Sequence, residues 1–161
     1  MLPYEEKERV VAFIHLEAQL ADEARYDEWE ALWSDQANYW VPRRDGLDPA
    51  TQVSHINDNR ARIATRVAQL KTGYRYSQEP ASPMRRLVSN IDIEPLDESG
   101  YRVASNFLLL ELAVQSTNDL HLWGGRVTHE LERAGNELKM RSKKVVLVNG
   151  DEPIPNLAFL I

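Results

Sequence analysis

Four histidines, one misplaced glutamate and a cluster of aromatics are the residues of this 161-residue chain that could do chemistry, and it contains no cysteine. Without a thiol there can be no thiolate-held iron–sulfur cluster, no cysteine-containing zinc site and no disulfide. The histidines are His15, His55, His121 and His129. His121 and His129 fall on one face of the same predicted strand, too far apart for a compact pair of metal ligands. The dipeptide His129-Glu130 matches the start of the helical zinc motif, but Arg133 stands where the second histidine belongs and the segment reads as a strand. Nothing is spaced for the two-histidine, one-carboxylate triad of a non-haem iron. No serine sits in a nucleophile elbow. Gly124-Gly125 is followed by a strand, so it opens no phosphate-binding helix. Arg60, Arg62 and Arg66 could clamp an anion, although a solvated or interface helix face is the better reading. No catalytic, cofactor-binding or metal-ligating residue is expected on this chain.

Glu17 is the polar residue out of place. On a helical wheel it lies inside the apolar arc of Val10, Phe13, Ile14, Leu20 and Ala21. A carboxylate buried there must be paired or protonated. The favoured reading is a structural ion pair with an arginine such as Arg25, Arg86 or Arg126. The sharper reading is a pocket acid or base working with His55 or His121. The aromatics have the same two readings. Tyr26, Trp29 and Trp33, with Tyr39-Trp40 just beyond, either seal helix against sheet or line a cavity for an apolar ligand. Core is the better reading. The candidate buried-polar or cavity residues are therefore Glu17, Trp29, Trp33, Tyr39, His55 and His121.

The elements that must position them change character midway. Glu5 to Ala24 reads as a helix. Asp27 to Trp33 reads as a short second one, with Asp27 as N-cap and Trp29 and Trp33 on one face. Tyr39-Trp40-Val41 reads as a strand. Ser54 to Leu70 reads as a third helix, with Ile56, Ile63, Val67 and Leu70 inward and Gly73 ending it. From Arg86 the period becomes two. Leu87, Ser89, Ile91 and Ile93 share one face, and Asp97-Glu98-Ser99-Gly100 makes a hairpin turn. Tyr101 to Gln115, Leu120 to Arg133 and Leu138 to Val148 follow as long strands, joined at Ser116 to Asp119 and Ala134 to Glu137. Gly124-Gly125 reads as a bulge or bend in mid-strand. The layout is α+β, a curved antiparallel sheet wrapped on one face by three N-terminal helices.

Length predicts a single domain over 1–161 that buries roughly two-thirds of its unfolded surface. A net charge of −6 argues against a nucleic-acid partner. No apolar run reaches the ~18 residues of a membrane span, and the acidic start is unlike a signal peptide, so the expected location is the cytoplasm.

An ordered set of segments resembles the small (beta) subunits of bacterial aromatic-ring-hydroxylating (Rieske-type) dioxygenases. These are Glu17-Ala18, Tyr26-Asp27-Glu28-Trp29, Tyr39-Trp40-Val41-Pro42, Arg86-Leu87-Val88-Ser89-Asn90-Ile91, Gly125-Arg126, Lys144-Val145-Val146-Leu147 and Pro155-Asn156-Leu157-Ala158-Phe159-Leu160. The segment from Asp45 to Pro83 matches least. The resemblance implies the cone-shaped fold of cystatin-like and nuclear-transport-factor-like proteins. It implies a heterohexamer of three large (alpha) and three small subunits, with the iron–sulfur cluster and mononuclear iron on the large one. The role implied for this chain is assembly. The competing classes are a stand-alone isomerase or dehydratase on the same cone, and a small-ligand-binding module. The apolar ending Leu157, Phe159, Leu160 and Ile161 must dock on the cone or on a neighbour, which makes a homotrimer the expected state.

Overall fold

The computed structural model describes residues 1–72, 82–113 and 118–161. Chain order is α1 (Tyr4–Asp22), α2 (Tyr26–Ala31), β1 (Trp33–Pro42), β2 (Ser54–Asn59), α3 (Arg60–Lys71), β3 (Met84–Leu96), β4 (Gly100–Ala113), β5 (Asp119–Ala134) and β6 (Glu137–Leu147). The strands form one sheet in the order β2-β1-β6-β5-β4-β3. All pairings are antiparallel except β1 with β6, which run parallel because the whole hairpin series returns to lie beside the first strand. The helices cover one face of this curved sheet and give the α+β cone. The core fills the space between them, with Val10, Ile14 and Leu20 of α1 and Ile63 and Val67 of α3 meeting Val103, Leu109, Val127 and Val145 of the strands.

Several sequence expectations need correction. Trp33 does not share a helix with Trp29, because α2 ends at Ala31 and Trp33 opens β1. The two rings still meet edge-on with centroids 5.5 Å apart. Asp27 lies inside α2, and Arg25 takes the cap position without a side-chain cap. The expected third helix is two elements. Ser54–Asn59 is a strand whose Ile56 and Asp58 point inward opposite Val41 and Tyr39. Asn59 then caps α3 by accepting from the Arg62 backbone N–H at 3.0 Å. Gly73, the expected helix end, lies outside the described residues, as do Ser116 and Thr117 of the predicted turn.

On β3 the predicted face is half wrong. Leu87 and Ser89 point outward while Ile91 and Ile93 pack inward. Asn90 adopts φ 53° and the pairing with β4 skips between Ser89 and Asp92, so an extra residue flips the alternation. The opposite holds at Gly124-Gly125, where pairing with β4 runs through unbroken. No bulge sits there. A Cβ on Gly125 would lie 2.1 Å from the Val146 carbonyl oxygen, so glycine is required by close backbone approach.

The apolar ending docks on its own cone. Leu157, Phe159, Leu160 and Ile161 are all buried, and the Phe159 ring meets Trp123 edge-on at 5.4 Å.

Candidate functional site

Glu17 on α1 is the centre of a charge cluster sealed inside the cone. The first turn of α1 carries Glu5 and Glu6, which suit the positive end of the helix dipole, and the apolar stripe of the helix turns Glu17 inward with Phe13 and Ile14. Its Oε1 accepts from Lys143 Nζ at 2.7 Å and from Trp29 Nε1 at 2.8 Å. Its Oε2 lies 3.6 Å from His129 Nε2, beyond hydrogen-bond length but close enough for the charge to be felt. Glu17, Lys143 and His129 are 3%, 1% and 2% exposed, so water contributes nothing to their pairing. The Lys143 ammonium also stands 5.7 Å from the centroid of the Tyr39 ring.

The ion pair is with a lysine and not with any of the expected arginines. Arg86 donates from Nε to Asp22 at 2.7 Å and from Nη2 to the Leu160 carbonyl at 2.7 Å. Arg25 is held at the surface by Glu28 and Glu23, and Arg126 points outward from β5. His55 and His121, the expected histidine partners, are elsewhere. His55 bonds the Gly150 carbonyl through Nε2 at 2.7 Å, and His121 sits 3.7 Å from Glu111, which accepts from Trp123 Nε1 at 3.0 Å. The fold therefore gathers Glu17, Trp29, Trp33 and Tyr39, leaves out His55 and His121, and adds His129 and Lys143. Lys143 is in phase with Val145 and Leu147 but out of phase with Leu138 and Met140, so strand alternation alone does not single it out.

Burial pushes the Glu17 carboxyl up, but the Lys143 ammonium and the nearby His129 more than reverse this and hold it well below its usual range. Burial pushes His129 down, and the neighbouring carboxylate only partly restores it. Lys143 is also pushed down by burial, with Glu17 opposing. Burial raises the Tyr39 hydroxyl, so it stays protonated and donates to the Ile161 carbonyl oxygen at 2.7 Å. The cluster is thus a carboxylate–ammonium pair beside a neutral imidazole. The space it borders is about 10 Å³, the size of one water. An aromatic substrate has no room there. Among the described residues no group of three or more histidines and carboxylates could hold a metal ion. No helix among them is long and apolar enough to cross a membrane.

The outward face of the sheet is of another kind. Leu87, Leu108, Leu110, Leu120 and Leu122 stand in neighbouring positions of β3, β4 and β5, each about half to two-thirds exposed. A shallow cleft of about 710 Å³ adjoins this patch, lined by Leu87 and Leu108 of it and by Gly124, Arg126, Val146 and Val148. Arg85 and Arg126 are the charged residues among these leucines.

The family described as "Ring hydroxylating beta subunit" matches residues 16–151, most of the chain. The chain belongs to that family. Among relatives of this beta subunit is the benzoate 1,2-dioxygenase subunit beta of Acinetobacter baylyi, 27% identical over 148 residues that cover 88% of this chain and 86% of the relative. The solved beta subunit of benzoate 1,2-dioxygenase from Burkholderia mallei superposes with a TM-score of 0.75 at 22% identity, covering 99% of both chains. A chain of naphthalene 1,2-dioxygenase, from a structure with indole bound in the active site, superposes with a TM-score of 0.80 at 16% identity. It covers 100% of this beta subunit and 88% of the other chain. The last two likenesses concern the fold. The family match spans β2 and α3, the region the sequence resemblance matched least.

Proposed function

We propose that this beta subunit, as a single domain in the cytoplasm, is a non-catalytic assembly component of a multicomponent dioxygenase that hydroxylates aromatic rings. Three copies associate about a threefold axis and hold three large subunits, which carry the iron–sulfur cluster and the mononuclear iron. The chemistry belongs to the large subunit, and this chain contributes rigidity and placement. The observation that carries the reading is the row of leucines on the outer sheet face. Such a patch on an otherwise polar, charged surface marks an interface. Its rim carries Arg85 and Arg126, whereas the chain as a whole has a net charge of −6, so a neighbouring copy of this acidic chain is a complementary occupant. A threefold arrangement uses two different patches of each copy, so the leucine face need not be self-complementary.

The interior supports the same reading against a stand-alone isomerase or dehydratase. Glu17 and Lys143 neutralise each other in a space the size of a water, with no access for a substrate. The test is co-expression with the large subunit of the same system. The expected result is a coloured complex whose light-scattering mass equals three copies of each chain. Recovery of this chain alone, as a monomer, from a preparation where the large subunit is folded and metal-loaded overturns the reading.

A further inference from the structure

The chain between β1 and β2 stands clear of the cone. Residues 43–53 belong to no helix or strand, and all of them are exposed except Leu47, which is part-buried. The loop is nevertheless held in shape by its own hydrogen bonds. Asp48 Oδ1 accepts from the Ala50 N–H at 2.9 Å, and the Asp48 carbonyl accepts from the Gln52 N–H at 2.9 Å. Its base is clasped to the outer side of the sheet. Lys144, which alternates with the buried Lys143 and Val145 on β6, meets Asp45 at 2.7 Å, and Arg43 and Arg44 share Asp151. A loop ordered in advance loses little freedom on docking. Its tip, Gly46 to Val53, carries one charge, Asp48, among Leu47, Pro49, Ala50 and Val53. Val53 is 78% exposed, an apolar side chain on display.

The leucine face offers the complement. Its cleft is apolar along Leu87, Leu108, Val146 and Val148 and cationic at Arg126. Arg126 makes no hydrogen bond or salt bridge among the described residues, and Arg85 reaches Glu23 only at 4.0 Å. Both cations are therefore available to an acidic partner. A closed ring of three also restricts where the second patch can lie. The two neighbours of each copy stand toward the axis, so the two halves of the contact must be close together on its surface, whereas patches at opposite ends build open filaments. The loop meets this requirement, because Asp45 at its base is bonded to β6 beside the leucine strands. The other exposed apolar residues, Met1, Tyr4 and Leu16, do not. Glu6 of α1 pairs with Arg133, and Leu16 lies with Asn136 and Leu138, at the far end of β5 from Leu120 and Leu122. Resting on the subunit reading above, we propose that loop 43–53 of one copy is the second half of the threefold contact. It seats on the leucine face of the next copy, with Val53 in the cleft and Asp48 facing Arg126. Each copy gives one loop and receives one, which closes the ring.

The absence of native cysteine allows the contact to be trapped directly. Val53→Cys in one chain, and Leu87→Cys, Leu108→Cys or Leu122→Cys in another, replace side chains that are at least half exposed. Chains with tags of different size are co-expressed in such pairs together with the large subunit and mildly oxidised. A mixed covalent dimer is expected for at least one pairing, and none when a leucine variant is oxidised without its Val53→Cys partner. A disulfide between two copies of one leucine variant overturns the inference alone, and so does the lack of any mixed dimer in a complex that light scattering shows to hold three copies. A wild type that stays monomeric beside a folded large subunit overturns the subunit reading and this inference with it. In a second measurement, Val53→Lys is expected to weaken association of the copies ~10-fold or more with unchanged circular dichroism, and Tyr4→Lys to leave it within ~2-fold. The reverse ranking overturns the proposal.

Discussion

At the scale of single residues, Glu17 decides how the interior behaves. A helical wheel picks it out because one carboxylate among Phe13, Ile14 and Leu20 breaks a regular pattern. Its partner is not legible in the same way. Lys143 lies 126 residues away, and strand alternation counted from Leu138 and Met140 puts Ser142 inside instead. An extra residue at Arg141 shifts the phase and turns Lys143 inward. Glu17→Gln keeps the acceptor for Trp29 but leaves the ammonium buried and unpaired. We expect a loss of ~3–5 kcal/mol in a denaturant melt, with turnover per assembled complex intact. Adding Lys143→Met should recover most of that loss. A folded, assembled Glu17→Gln complex with turnover down ~100-fold would instead assign the carboxylate to catalysis.

The same cluster sets an acid limb. His129 in the folded chain lies below its ordinary value of 6.5, so the unfolded chain takes up that proton first and stability falls as pH drops below 6.5. Glu17 lies below 4.5, and its contribution, complete above 4.5, is lost as pH falls further through its folded value. Lys143, also lowered, acts only on the alkaline side below 10.5, where stability rises with pH. Thermal melts from pH 7 to pH 5 should therefore show a falling Tm in the wild type and a flatter profile in His129→Gln. Parallel profiles would remove His129 from the account.

At the scale of elements, period and turn residues made the long β4, β5 and β6 and the α1 helix legible, each to within a few positions at its ends. What failed was local and has a common cause. A single inserted residue, at Asn90 on β3 and at Arg141 on β6, reverses which side chains face the core, and alternation alone cannot announce it. Ser54–Asn59 failed for a different reason. Six residues with one apolar side chain carry almost no period, and only pairing with β1 makes them a strand. The two glycines of β5 mark no bulge. Their role is contact between backbones, which predicts a steep cost for a methyl group. Gly125→Ala should destabilise the fold by about 3 kcal/mol or more, because the Val146 carbonyl is part of the β5–β6 ladder and cannot move aside. Gly124→Ala meets the flexible end of Leu108 at 3.0 Å and the Phe107 carbonyl oxygen at 3.4 Å, an ordinary contact, and should cost much less. Equal melting temperatures for the two variants would mean that the ladder yields.

At the scale of the whole molecule, assembly must rest on a surface other than the one the sequence suggested. The apolar ending had to dock on the cone or on a neighbour, and it docks on the cone, where Leu157, Phe159, Leu160 and Ile161 are buried. The leucines of the outer sheet face take over that argument. They were hidden in the sequence because strands apolar on both faces read as ordinary core. Leu110 of β4 and Leu122 of β5 are direct cross-strand partners, 47% and 65% exposed. Replacing them with Leu110→Lys and Leu122→Glu puts opposite charges side by side, which supports the isolated sheet while removing the apolar contact. If a second copy covers both, each leucine, already about half-buried, contributes about 1–2 kcal/mol, so the pair is worth roughly thirty- to a thousand-fold in the association constant. Light scattering at micromolar concentration should then report a trimer for the wild type and a monomer for the double variant. The variant's circular dichroism should be unchanged. A variant that remains trimeric would place the threefold contact on another face, and one that loses its fold would make these leucines part of the core.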